Sequence, residues 1–200
     1  MTLAARLATA LARPPHPDPT LLTGDYHDLG LNDADSLSAA AVLVPVTDRS
    51  TPGVILTQRN ATMRRHPGQI AFPGGRIDPG DDGPVAAALR EAEEEIALPR
   101  NLVTVIGAAD RYRTVTGFDV TPVLGVVPAD LVLRPSEAEV AAVFEVPLGF
   151  LLDPANHVLA RREWQGRERQ YYEIIWGERR IWGATAAMIV NLSRRLAWSG

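Results

Sequence analysis

The run Arg90–Leu98 (REAEEEIAL) holds four carboxylates, and Gly74-Gly75 stands a short loop upstream of it. On a helix, positions i, i+3 and i+4 share a face, so Glu91, Glu94 and Glu95 would lie together while Glu93 points elsewhere. Runs of glutamate ordinarily make a solvated face. Three features weigh against that here. Glu91 and Glu95 repel at i,i+4 spacing, and the residues four positions after Glu93, Glu94 and Glu95 are Ala97, Leu98 and Pro99, so no arginine follows in register. The run also falls in the last turns, where the helix dipole disfavours each acid by ~0.3–1 kcal/mol. A hard divalent cation such as Mg²⁺ or Mn²⁺, which selects carboxylate, carbonyl and water oxygens, reverses that balance. Arg90 reaches Glu94 at i,i+4 and would fix its orientation. In Phe72-Pro73-Gly74-Gly75 a stiff proline precedes two residues without side chains, which lets backbone carbonyls approach a metal or phosphate.

The elements that must position these groups are legible in outline. Asp81, Asp82 or Gly83 can cap a helix whose first turn takes Pro84, and Val85, Ala88, Leu89, Ala92 and Ile96 make one apolar stripe that Pro99 stops. Upstream, Ala39–Val46 and Val54–Thr57 read as a hairpin, and Ile70–Phe72 as a strand running into the glycine loop. Downstream, Leu102–Ala108, Phe118–Val127 and Val140–Val146 read as strands covered on both faces. Pro147–Leu152 suits one helical turn. His157–Glu163 and Gln170–Trp176 flank Gly166 as a second hairpin, and Ala184–Trp198 reads as a final helix. Met1–Arg13 is expected to form a short surface helix. Arg13–Pro19 (RPPHPDP) follows it as a linker, since proline removes backbone donors at four of seven positions.

Composition narrows the chemistry. The 200 residues suit one domain, and the formal charge of -4 argues against a partner held by a basic surface, such as nucleic acid. The sequence contains no lysine and no cysteine, which removes Schiff-base and P-loop lysines, thiolate metal sites and disulfides. The usage permits a cytoplasmic protein. Arg6 interrupts the one candidate leader, and no apolar stretch approaches the ~20 residues that cross a bilayer, so no membrane partner is expected.

Gly75, Asp81 and Arg90–Leu98 resemble the Nudix box: a glycine, an acid six residues on, then R-E-apolar-x-E-E-x-G-apolar. Two positions depart from it. Eight residues rather than seven separate Asp81 from Arg90, and Ala97 stands where glycine is usual. Taking Asp82 as the acid restores the spacing but puts Arg76 in the place of the glycine. Ile55-Leu56-Thr57-Gln58-Arg59 with Arg64, Gly68 and Phe72-Pro73-Gly74-Gly75 is similar to the additional signature of the coenzyme A pyrophosphatase branch, which tolerates the longer spacing; Asn60 replaces its serine or alanine.

The resemblance implies a Nudix-type α/β/α sandwich with a mixed β-sheet between helices. Residues 40–200 would form the hydrolase domain, with residues 1–39 as a helical segment and linker packed on it. It implies metal ligation by Glu91, Glu94, Glu95 and Gly75 with Mg²⁺ or Mn²⁺, and catalysis by Glu91, Glu94 and Glu139. Glu137 and Glu139 precede a strand where the family often supplies an acid, although a polar turn is their plain reading. Arg59, Arg64, Gly74, Gly75 and Arg76 would bind substrate, with Arg65, Arg111 and Arg113 as further cations for the phosphates. His66 reads as structural. The implied reaction cleaves the diphosphate of coenzyme A or acyl-CoA to 3′,5′-ADP and 4′-phosphopantetheine or its acyl form. The alternatives are a Nudix hydrolase of ADP-ribose, NADH or dinucleoside polyphosphates, and a silent nucleotide-sensing domain. A homodimer is left open.

Overall fold

Two long runs of alternating small and branched residues form the spine of the sheet. In the computed structural model, which describes residues 1–14, 37–63, 66–114, 116–164 and 167–198, β1 (Ser38–Asp48) and β7 (Phe118–Pro128) lie parallel in unbroken register from Ser38↔Phe118 to Asp48↔Pro128. Every other pairing among the described residues is antiparallel. β2 (Gly53–Arg59) and β4 (Gly74–Arg76) both pair with β1, at its end and near its start. β3 (Ile70–Ala71) and β8 (Val140–Pro147) line β2, while β5 (Thr104–Ala108) and β6 (Tyr112–Arg113) line β7. One parallel pair among antiparallel neighbours makes the sheet mixed, as expected.

The period-2 pattern decides which side each residue serves. Ala41 and Leu43 of β1, Ile55 of β2, and Val123 and Val127 of β7 face helix α2 (Gly83–Ile96), packing on Ala87, Ala88, Ala92 and Ile96. The alternate residues, Ala40, Val44, Val46, Val54, Leu56, Leu124 and Val126, face the other layer. That layer holds α1 (Leu3–Leu11), the short α3 (Leu148–Leu152) and α4 (Ala184–Leu196). The three-stranded sheet of β9 (Val158–Trp164), β10 (Arg167–Trp176) and β11 (Arg179–Trp182) contributes Ile174 and Ile181 to the same core. Helices thus cover both faces, giving the α/β/α sandwich.

Three expectations need correction. Phe72–Gly75 is not all loop, because Gly74 and Gly75 are the start of β4 and pair with Val42 and Ala41. β5 begins only at Thr104 and is an edge strand with Val105 37% exposed, so it is not covered on both faces. β8 is likewise only half covered, with Ala141 exposed. α1 lies at the surface, with Ala5, Ala8 and Thr9 exposed, and packs by its other side. Leu3, Leu7 and Leu11 are buried in the core beside Leu192 and Leu196 of α4, because the helical spacing of its leucines presents one continuous apolar face. An arginine from the end of each of these two helices caps the other: Arg195 Nε donates to Leu11 O at 3.1 Å, and Arg13 Nη1 donates to Leu196 O at 2.8 Å. Residues 15–19 of the expected linker lie outside the described residues. No helix among the described residues is long and apolar enough to cross a membrane.

Candidate active site

The site is built where α2 crosses β4. Pro84 sits in the first turn of α2, and Asp82 occupies the N-cap without a side-chain bond. The buried face is mostly alanine, which brings the helix axis close to the sheet. The helix ends before Pro99 is reached: Ala97 takes a left-handed conformation (φ 53°), its N–H bonds Glu93 O, and the Leu98 N–H bonds Ala92 O.

Glu95 is buried, 5% exposed, and its Oε2 accepts from the Gly74 N–H at 3.2 Å. Arg59 Nη1 stands 3.9 Å from its Oε1, and the buried Arg59 Nε has no partner among the described residues. Burial pushes the Glu95 carboxyl up to about 7; the Gly74 N–H and Arg59 pull it down, while the charges of Glu91 and Glu139 push it further up. Glu91 is half-buried. Its carboxyl is also raised, by burial foremost, with Arg90 opposing and Glu94 and Glu139 adding to the rise. Both carboxylates therefore feel Glu139, which belongs to the same negative cluster.

The two glycines are required for different reasons. At Gly74 (φ 155°) a Cβ would lie 2.4 Å from Ala41 O and 2.6 Å from Val42 Cα, so the backbone of β1 excludes a side chain. At Gly75 a Cβ would lie 2.5 Å from Glu91 Oε1, in the space that the carboxylate occupies.

Arg90 joins the loop to the helix. Its Nε and Nη2 bond Asp81 Oδ1 and Oδ2 at 2.9 Å each, Nη2 bonds Arg76 O at 3.0 Å, and Nη1 bonds Glu91 at 3.0 Å and Glu94 at 3.1 Å. The hydrogen bond from Arg90, and after it the Asp78 N–H, hold the Asp81 carboxyl at about 2; Asp81 in turn raises Arg90. The choice between Asp81 and Asp82 is thereby decided. Asp81 carries the bidentate pair, and Asp82 is exposed.

The three expected carboxylates differ in their surroundings, although Glu91 and Glu94 meet at the same Arg90 Nη1. Glu91 and Glu95 turn toward β4, whereas the Glu94 side chain is 58% exposed and committed to Arg90. Among the described residues, no group of three or more His, Asp or Glu side chains is gathered to hold a metal. Glu93 is compensated after all, by Arg100 Nε at 2.6 Å, because the turn after the helix brings back a residue seven positions on. The donor set nevertheless suits a hard cation. It holds two half-buried or buried carboxylates with raised affinity for protons, a third within the same Arg90 network, and a Gly75 cradle that any Cβ would fill.

Of the other expected residues, the Arg76 guanidinium lies 5.4 Å from the Phe118 ring, and its carbonyl accepts from Arg90. Arg111 is paired with Asp119, so it is not a free phosphate cation. Arg113 lies in β6 beside Asp119 of β7. Arg64 and Arg65 lie outside the described residues. His66 is exposed at φ 54°. The sequence marked Asn60 only as a departure from the signature's serine or alanine, and its contacts could not be read there. Its amide N–H donates to Glu139 O, and Nδ2 donates to Glu137 O.

Comparison with known proteins agrees with this arrangement. The NUDIX domain profile matches residues 37–169. The chain is 45% identical over 165 residues to the uncharacterized Nudix hydrolase NudL of Escherichia coli (strain K12), covering 78% of this chain and 82% of that one. It is 44% identical over 157 residues to NudL of Enterobacter sp. (strain 638), with the same coverage. A MutT/nudix family protein of known structure from Enterococcus faecalis shares the fold, with a TM-score of 0.52 at 15% identity over 96% of this chain and 74% of that one. With the box glycine, Asp81, Arg90 and the glutamates in one connected site, and relatives of this identity along most of its length, the chain belongs to the Nudix hydrolase family.

Proposed function

We propose that the protein hydrolyses the diphosphate bond of coenzyme A or acyl-CoA in a reaction dependent on Mg²⁺ or Mn²⁺. The observation that carries the reading is the placement of Arg59. It comes from the segment similar to the coenzyme A branch signature, and it stands 3.9 Å from the buried carboxylate Glu95. Glu91, Glu94, Glu95 and the Gly75 carbonyl are the proposed metal ligands, with Glu94 turning away from Arg90. The cation supplies charge neutralisation of the diphosphate oxygens and orientation of water. Arg59 and Arg76 bind phosphate oxygens, and Arg59 Nε, unpartnered among the described residues, offers a donor for that purpose. Gly74 and Gly75 keep the floor of the site free of side chains. Glu139 accepts a proton as water oxygen bonds to one phosphorus; the bridging P–O bond breaks, and its electron pair leaves with the other phosphate. Residues 40–200 constitute the catalytic domain in this reading, and residues 1–39 are an accessory segment whose α1 packs on it.

The test is incubation of the pure protein with Mn²⁺ and coenzyme A, ADP-ribose, NADH, dinucleoside polyphosphates or deoxynucleoside triphosphates. Release of 3′,5′-ADP from coenzyme A supports the proposal. Consumption of another compound while coenzyme A survives overturns the substrate and leaves the hydrolase standing. Binding without turnover, unchanged by Glu94→Gln, points to a silent domain. Glu94→Gln and Glu95→Gln are each expected to lower kcat at least ~10²-fold with the fold retained, and wild-type rates in both would remove the metal assignment.

A further inference from the structure

The Asn60 side chain both donates and accepts hydrogen bonds, and one of them reaches a segment 77 residues away. β2 and β8 pair antiparallel, and their register shifts between Gln58 and Arg59, so Arg59 faces Val140. A β-bulge of this kind re-aims the residues beside it. Here those residues are Arg59 on one strand and Glu139 just before the other. Beyond the bulge Asn60 continues the pairing, its N–H donating to Glu139 O at 2.8 Å.

The side chain then makes two kinds of bond at once. Oδ1 accepts from Thr62 N at 3.1 Å and Thr62 Oγ1 at 3.0 Å, and Nδ2 donates to Glu137 O at 2.9 Å. Because the Thr62 N–H can only donate, the amide orientation is fixed. The opposite end of the 134–139 segment is tied to α2, with Arg134 N donating to Ile96 O at 3.0 Å and Ser136 N to Glu95 O at 2.8 Å. The segment is thus fastened on one side to the helix that carries Glu91 and Glu95, and on the other to Asn60.

We infer that Asn60 is a positioning residue that straps the Glu137–Glu139 turn to the end of β2, holding Glu139 in fixed relation to Arg59 and Glu95. Its effect on the reaction rests on the role proposed above for Glu139; its effect on the turn does not. The Glu139 and Val140 amides, both bonded to Ser136 O, report the strap directly.

The experiment compares Asn60→Ala, Asn60→Asp and Glu139→Gln with the wild type, alone and combined, by hydrogen exchange and by turnover of whichever diphosphate in the substrate panel is consumed. Asn60→Ala is expected to fold, since the residue is only partly buried and its backbone bond to Glu139 O is kept. It should speed exchange at Glu139 and Val140 about fivefold, the worth of one net hydrogen bond. It should also lower kcat about tenfold with little change in KM. Asn60→Asp keeps the acceptor for Thr62 but loses the donor for Glu137, so it should exchange like the alanine variant. If it exchanges like wild type, the side chain serves only its own turn and the strap is refuted. In the Glu139→Gln background, Asn60→Ala should cost no further activity; an additive loss means that Asn60 acts elsewhere. If Glu139→Gln alone keeps wild-type kcat, the base assignment falls, and the exchange rates still decide the strap.

Discussion

Glu95 carries an acid into a place where ionisation is costly, and that makes stability sensitive to pH. Its carboxyl titrates near 7 in the fold against an ordinary 4.5, so between those values the native state holds a proton that the unfolded chain has released. Stability of the metal-free protein should therefore fall as pH rises from about 4.5 to about 7, by roughly 3 kcal/mol. Glu91, raised by burial, acts in the same direction. Asp81 has the opposite sign, and its contribution is lost only as pH falls from 3.8 through about 2, a separate window. Thermal melts across pH 4.5–7.5 check this: Tm should drop in the wild type, drop less in Glu95→Gln, and recover at pH 7.5 with Mn²⁺. A flat wild-type Tm would contradict it. Gly75→Ala should weaken Mn²⁺ binding about tenfold or more in calorimetry with little loss of Tm, because its Cβ meets only the end of the Glu91 side chain. Gly74→Ala meets β1 backbone and should cost the fold itself. Residue types and the Arg90–Glu94 pair were legible from spacing alone. The burial of Glu95 was not, because helical periodicity says which residues share a face and nothing about a strand such as β4 lying over half of it.

At the scale of elements, α2 is held by its small buried face and closed by an alanine in a conformation that suits glycine. Ala97→Gly should stabilise the protein by about 1 kcal/mol and raise Tm by about 2–4 °C in a differential scanning experiment; a fall would mean that the left-handed turn is not strained. The same residue is where the chain departs from the Nudix pattern, so the departure costs stability and leaves the carboxylates in place. Strands and helices were readable from apolar periodicity and proline stops. Edge and centre were not distinguishable. Thr104–Ala108 and Val140–Pro147 have the same β-branched, apolar composition as β7, yet their partners, set by topology, leave them partly exposed. β3 and β4, two and three residues long, are too short for any period to show, and their pairing depends on partners distant in sequence.

The whole molecule is a sheet whose odd and even residues serve two separate cores, and the candidate active site draws on the smaller of them, under α2. The larger core includes both α1 and α4, and the partner of α1 could not be read from the sequence, because an amphipathic stripe does not reveal what covers it. The crossed arginine caps between these helices have a dynamic consequence. Neither helix can fray at its C-terminus without freeing a carbonyl of the other, and Leu7, Leu11 and Leu196 share one cluster. α1 and α4 should open as one cooperative unit, with matched hydrogen-exchange protection that Leu7→Ala or Arg195→Ala lowers in both helices together. Loss of protection confined to α1 would show two independent units. The amides of α2 lie across the sheet in the other core and should keep their protection, so the scaffold beneath the carboxylates outlasts the opening of the opposite layer.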